Sequence, residues 1–417
     1  MAILHDLGRT LVEMGYHVEA EQVYRHVLTV EPDGAFLTNS DMLLNFNYRA
    51  DIRAETLLVE ARAYGQKAER MAKPHRYHPN DCNPERRLRV GLVSCDLGMH
   101  SVGFFLLNVM ASIDPDKLEL YAFEIGKRKD PINERLRQHI PFWRDIAGPK
   151  LTDEAAADLI RDDRIDILID LNGHTGDNRL PVFAWKPAPV QLTWLGYLGS
   201  TGLNARDYIL ADRYALPPGE EAHFVEKPWR MPGSYICFSP PTVPVDVGAL
   251  PALRNGYVTF GSFNNLNKIN EQVVACWAGV LQAVPGSKLY LKTKNLGGAE
   301  TRAKVIASFA RHDIPEARLL LEGAIPNHEE HFRAYQKVDI ALDPYPYPGI
   351  TTSVEALWMG VPVLSMKGDR FISHQGESIL NNVGLPEWIA SDKVDYVAKA
   401  VAFAGDLPAL DAVRMGL

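Results

Sequence analysis

The chain has 417 residues, 46% of them hydrophobic and 23% charged, which at roughly 150 residues per domain suggests two or three ordinary globular domains. With 44 Lys plus Arg against 52 Asp plus Glu, its net charge of -8 argues against a general binder of nucleic acid or anionic membrane, while leaving room for a local basic phosphate pocket. The first residues lack a basic stretch before an apolar core, and no apolar run reaches the roughly 18 residues of a membrane span.

The four cysteines, Cys82, Cys95, Cys237 and Cys276, form no C-x-x-C pair, so free thiols in a reducing, cytoplasmic setting are expected. Residues 2–32 are predicted as two helices around Gly15. Leu7, Gly8, Gly15, Tyr16, Glu19, Ala20, Tyr24 and Pro32 fall in the order of a tetratricopeptide repeat, with a plain helical hairpin as the alternative. One such unit cannot bury its apolar face alone. Residues 36–72 continue helically, with Leu43, Leu44, Leu57, Leu58 and Ala61 at helical spacings. Residues 73–87 are polar, hold Pro74, Pro79 and Pro84, and read as a linker.

From Leu88 the pattern changes to short apolar runs alternating with amphipathic stretches. Strands are predicted at 88–94, 118–125, 165–171, 190–195 and 207–211, with a helix at 153–162. A second proline-rich stretch, 241–254, reads as another linker. The alternation then resumes with strands at 258–262, 288–292, 318–321, 340–342 and 362–365, and helices at 273–283, 329–336 and 353–359. The expected fold is α/β: a helical segment (1–72), a linker (73–87), a Rossmann-like doubly wound half (88–240), a linker (241–254) and a second such half (255–417). Two such halves are expected to bind a ligand at the carboxyl ends of their strands.

Several loops after predicted strands carry chemistry. In Pro348-Gly349-Ile350-Thr351-Thr352-Ser353-Val354-Glu355, Gly349 opens onto hydroxyl residues that start a helix. Backbone N–H groups and threonine hydroxyls there suit a diphosphate. The same residues also spell a capping box, so both readings stay open. Glu355, one turn in, is a candidate for a ribose hydroxyl. Gly261 to Lys268 follows another strand, and Lys268 is either a phosphate partner or a solvated loop lysine.

Asp96 to Gly103 brings His100, a candidate base or substrate contact, with a structural role as the alternative. Asn172-Gly173-His174 and Trp194 to Gly202 are further glycine-bearing loops. His328 and His331 sit three apart with no third ligand at short spacing, which favours stacking of His331 on a nucleobase over zinc. The one Asp-x-Asp triplet, Asp114-Pro115-Asp116, is a turn signature, and no metal is expected.

Together these stretches resemble the catalytic region of the protein O-GlcNAc transferase and SPINDLY family, from about Leu88 to the end of the chain. The matching segments are 90–102, 166–175, 187–197, 260–269 and 351–362. The resemblance implies a GT-B fold and inverting transfer of a sugar from a nucleotide diphosphate to protein serine or threonine. It places His100 and His174 near the reacting sugar and Gly199, Ser200, Thr201 and Gly202 in the loop that approaches it. Asn265 and Lys268 would meet the diphosphate with Thr351 and Thr352, His331 the base and Glu355 the ribose.

It also implies UDP-GlcNAc as donor, with GDP-fucose as the alternative, and protein acceptors recruited by the amino-terminal helices. Three positions depart from the pattern: Leu198 stands where the sugar loop has proline, Ala334 where UDP-GlcNAc enzymes often have arginine, and Glu355 where many have aspartate. Terminal helices of the family are missing, so a shortened second half is expected. The general base is open among His100, Asp96 and a water or phosphate route. A GT-B enzyme acting on a glycan or small molecule, and an inactive repeat-based binding module, are the other functions considered.

Overall fold

The computed structural model describes residues 1–126, 128–148, 150–241 and 243–417; Thr242, within the predicted linker 241–254, lies outside them. Two compact units emerge, one of residues 1–10, 17–47 and 51–239, the other of 11–16, 48–50 and 240–417.

The first unit begins with helices Ala2–Glu13, His17–Val30, Phe36–Asn47 and Ala54–Met71. Gly8 lets the first of these close onto the Tyr24 ring of the second, where any Cβ would collide. Seven strands follow: β1 (Leu88–Ser94), β2 (Leu118–Glu124), β3 (Phe142–Asp145), β4 (Ile167–Asp170), β5 (Val190–Thr193), β6 (Tyr208–Asp212) and β7 (Lys227–Met231). They form one sheet in the order β3-β2-β1-β4-β5-β6-β7, with every described pairing parallel. The run Val90–Ser94 is buried throughout, as a strand covered on both faces must be.

The helical segment shares a core with this sheet. Leu43, Ala61, Tyr64 and Ala68 from the helices join Val93, Phe123, Ile160, Leu168 and Phe183 in one buried cluster. The polar stretch 73–87, read as a boundary, lies against the same body. His75 N–H donates to the Trp185 carbonyl at 2.9 Å, and Arg86 Nη1 donates to Asp166 at 2.8 Å.

The second unit holds β8 (Thr259–Ser262), β9 (Lys288–Lys292), β10 (Leu319–Glu322), β11 (Ile340–Leu342), β12 (Val363–Met366) and β13 (Ile389–Ala390), in the order β10-β9-β8-β11-β12-β13, again parallel. In both sheets the strand order reverses beside the first strand, between β1 and β4 and between β8 and β11. Connections there leave on opposite faces and open a crevice at the carboxyl ends. Sequence reasoning missed the edge strands β3 and β7 and the two-residue β13. It also read as loop or linker the helices Ser101–Ser112 and Pro251–Asn255.

Candidate active site

In the second unit, the loop after β8 and the loop after β11 meet at the reversal point. Lys268, half-buried, donates from Nζ to the Pro348 carbonyl at 2.9 Å and to Asn264 Oδ1 at 3.3 Å, and lies 4.0 Å over the Tyr347 ring. Burial pushes its pKa down to about 8, with Asp343 pulling the other way. The Thr352 hydroxyl donates to the same Asn264 Oδ1 at 3.2 Å.

Asp343, at the end of β11, shapes the connection. Its Oδ1 accepts from Gly349 N–H at 3.0 Å and from the Ser353 hydroxyl at 2.8 Å, and burial raises its pKa to about 6. A Cβ on Gly349 would strike the Ser353 and Thr352 hydroxyls, so only glycine permits this turn. The turn delivers the helix Thr351–Trp358. Among the described residues no side chain caps its start, and Thr351 and Thr352 are only half-buried.

The capping-box reading therefore fails. Glu355 turns elsewhere, its Oε2 accepting from Tyr335 hydroxyl at 3.0 Å and lying 3.1 Å from His331 Nε2. Lys292 Nζ sits 2.6 Å from His331 Nδ1. An ammonium only donates, so Nδ1 accepts and Nε2 carries the proton given to Glu355. His331 is thus fixed by both nitrogens, with Phe263 and Tyr335 rings beside it. Of the two adjacent amides, Asn265 is exposed and gives its carbonyl to Lys268 N–H, while buried Asn264 joins Lys268 to Thr352.

In the first unit, Asp96 and His100 follow β1. Asp96 Oδ1 accepts from Arg128 Nη2 at 2.7 Å and its Oδ2 from Asn172 Nδ2 at 3.0 Å. His100 caps the helix Ser101–Ser112, its Nδ1 accepting weakly from Val102 N–H at 3.4 Å and lying 3.6 Å from Asp96. Its side chain is 42% exposed. Burial lowers the His100 pKa; Asp96 opposes the shift and Arg128 adds to it.

His174 is different. Its side chain has no exposed surface, with Nδ1 2.9 Å from Ser40 Oγ, Nε2 3.0 Å from the Thr201 carbonyl, and the Tyr64 and Tyr197 rings edge-on to it. Burial lowers its pKa to about 3. Ser200 and Thr201 also face inward. Ser200 Oγ donates to Glu226 at 2.7 Å, and Thr201 gives that buried carboxylate both its hydroxyl and its N–H. Gly199 is half-buried beside the Tyr197 ring. Both His174 nitrogens and the Ser200 and Thr201 hydroxyls are taken up by these internal hydrogen bonds.

Sequence reasoning missed Asn264, Lys292, Asp343, Arg128 and Glu226. Asn264 and Asp343 carried a usable signal, since each stands at a strand end opening a motif already singled out. Arg128 and Glu226 lie outside any motif. Asp114-Pro115-Asp116 is a turn at the amino end of β2, Asp116 N–H donating to Asp114 Oδ1 at 2.9 Å. Among the described residues no group of three or more His, Cys, Asp or Glu is placed to hold a metal ion, and no helix is long and apolar enough to cross a membrane.

Residues 66–243 and 239–417 match the model of Glycosyl transferase family 41. The chain is 36% identical over 394 residues to a SPINDLY protein of Petunia hybrida, covering 94% of this chain and 42% of that one. It is 35% identical over 392 residues to SPINDLY of Arabidopsis thaliana, covering 93% and 43%. Both relatives carry the name "Probable UDP-N-acetylglucosamine–peptide N-acetylglucosaminyltransferase", and the chain spans less than half of their length. Among solved structures, a mutant O-GlcNAc transferase of Thermobaculum terrenum matches with a TM-score of 0.93 at 33% identity, over 99% of this chain and 78% of that one.

Proposed function

Because the chain belongs to glycosyl transferase family 41 and has the GT-B fold, we propose that it is an inverting protein O-glycosyltransferase, moving a sugar from a nucleotide diphosphate to a serine or threonine hydroxyl. The observation that carries this reading is the convergence on Asn264 of the Lys268 ammonium and the Thr352 hydroxyl, at the uncapped start of the helix Thr351–Trp358. Attack of the acceptor oxygen on the anomeric carbon breaks the bond to the diphosphate, and negative charge grows on the leaving group. A lysine, a hydroxyl and a helix N-terminus are what that charge requires. Lys268 rests on a neutral carbonyl that an anion would displace.

The nucleoside end falls to His331, whose edge is held by Lys292 and Glu355, and whose face is the part suited to stacking on a base. Glu355 is assigned to the ribose. On the acceptor side, Arg128 and Asn172 occupy both Asp96 oxygens, which favours His100 over Asp96 as the base, beside a water or phosphate route.

The donor assigned is UDP-GlcNAc, in keeping with the names of the relatives. GDP-fucose is the second reading, favoured by Ala334: it is buried, so the arginine common there in UDP-GlcNAc enzymes has no counterpart. Turnover proceeds without a divalent metal. Protein acceptors are recruited by the amino-terminal helices, in the cytoplasm, with no nucleic-acid or membrane partner.

The test is transfer from radiolabelled UDP-GlcNAc and GDP-fucose onto a serine- and threonine-containing peptide library and onto oligosaccharides, alongside thermal shift with UDP and GDP. At 100 times its Kd a nucleotide stabilises by about 2.7 kcal/mol. Stabilisation by UDP with label on peptides is expected. Label on oligosaccharides alone overturns the acceptor class, stabilisation by GDP alone overturns the donor, and no transfer from either donor leaves a binding module.

A further inference from the structure

His174 is buried among groups that the chemistry proposed above does not use, and its hydrogen bonds have a fixed direction. The Thr201 carbonyl can only accept, so His174 Nε2 carries the proton. Nδ1 is then the acceptor, and the Ser40 hydroxyl must be the donor. The string Ser40 to His174 to Thr201 therefore runs from the helix Phe36–Asn47, through the loop after β4, into the loop after β5.

Parallel contacts tie the next helix to the loop after β5. A Cβ at Gly65, on the helix Ala54–Met71, would run into the Gly202 carbonyl, and one at Gly202, where φ is +79°, would run into the Ala61 carbonyl. Glu69 of the same helix accepts from Asn204 N–H at 2.7 Å and from its side-chain amide at 3.1 Å. On the other side, Asn172, two residues before His174, donates to Asp96 in the loop that bears His100. The path from repeat-like helix to candidate base is continuous, within one compact unit.

We infer that His174 is a positioning residue, a strut through which the helices 36–47 and 54–71 set the conformation of the loop 199–204 at the carboxyl edge of the first sheet. A ligand engaging those helices would be felt at the loop, because the interface has no compressible layer: helix and loop backbones touch through Gly65 and Gly202. The low pKa of His174, about 3, keeps the string intact across the working pH range. Its consequence for turnover rests on the transferase reading, but the coupling itself does not.

The experiment uses the full chain in three forms, Ser40→Ala, His174→Gln and His174→Leu, each confirmed folded by circular dichroism. Hydrogen exchange of peptides covering 199–206 is read without substrate. Ser40→Ala and His174→Leu are expected to raise exchange there about tenfold while β1 stays protected, with His174→Gln intermediate because its amide still donates to Thr201. In transfer assays the same order is expected in the donor KM, with the Kd for UDP alone unchanged, since the nucleotide contacts lie in the second unit.

Wild-type exchange at 199–206 in both Ser40→Ala and His174→Leu overturns the strut. So does a loss of kcat beyond about 100-fold, equal in His174→Gln and His174→Leu, with exchange unchanged, which places His174 in the chemistry. Should His174→Leu not fold, Ser40→Ala, which removes one oxygen, decides alone. Absence of transfer in the wild type defeats the enzyme reading while the exchange result still stands.

Discussion

Lys268 is kept where its charge is disfavoured. Burial holds its pKa at about 8, and its hydrogen bonds go to a carbonyl and an amide oxygen. A diphosphate would supply the missing counter-charge and raise that pKa again, so the group is protonated when it acts. Below pH 8 the lysine of the free protein is charged and above it neutral. kcat/KM is therefore expected to fall as pH rises through about 8, and the corresponding limb of kcat to lie higher, a pattern read from a pH–rate profile. Lys268→Ala should lower kcat by roughly 10²–10³-fold. Lys268→Arg should rescue poorly, because a planar fork does not replace a compact charge. Single-turnover transfer retaining over a third of the rate would return Lys268 to an ordinary loop lysine.

His100→Ala should lower kcat by about 10²–10⁴-fold with little change in donor affinity if His100 is the base. A loss below about tenfold in steady-state kinetics would leave it a positioning role. At this scale the sequence exposed charged groups at strand ends well and neighbours poorly. Lys268 stood out because a lysine after a buried strand demands a partner. Asn264 and Asn265 could not be told apart, since which of two adjacent amides turns inward depends on the short 3₁₀ turn Leu266–Lys268 that follows.

The helix Thr351–Trp358 depends on the turn that precedes it. Gly349→Ala places a methyl against two hydroxyls and displaces the Gly349 N–H from Asp343. The expected result is a loss of nucleotide binding of tenfold or more, by calorimetry, exceeding any loss of thermal stability. Equal binding would show the turn to be plastic. Asp343→Asn keeps the shape and one acceptor, and should be milder.

Strands buried on both faces were legible from their apolar runs, as at β1 and β9. β7 was not, because alternate residues of Lys227–Met231 face solvent and Pro228 interrupts it, as an edge strand tolerates. The helix Ser101–Ser112 was missed for the opposite reason. Val102, Phe105, Leu106, Leu107 and Met110 are buried around it, so no polar face betrays a helical period.

Over the whole molecule, acid should act first where a histidine is buried neutral. The unfolded chain binds a proton at His174 below its ordinary pKa of 6.5, whereas the folded one resists to about 3. The stability tied to this group is thus complete above 6.5 and is lost as pH falls toward 3. Thermal melts from pH 7 to 4 should show a shallower acid decline for His174→Gln than for the wild type, and parallel declines would assign the loss to other groups. Activity should survive EDTA; loss restored by Mg²⁺ or Mn²⁺ would overturn the metal-free reading.

The sharing of one core between the helical segment and the first sheet bears on how such chains are recombined. Leu43, Ala61, Tyr64 and Ala68 are buried in one cluster with Val93, Phe123 and Leu168 of that sheet. A cut in the polar stretch 73–87, where the sequence most invites a scissor, would leave both pieces with raw apolar faces. The helices Phe36–Asn47 and Ala54–Met71 travel with the first sheet, as part of its inheritance rather than of its cargo.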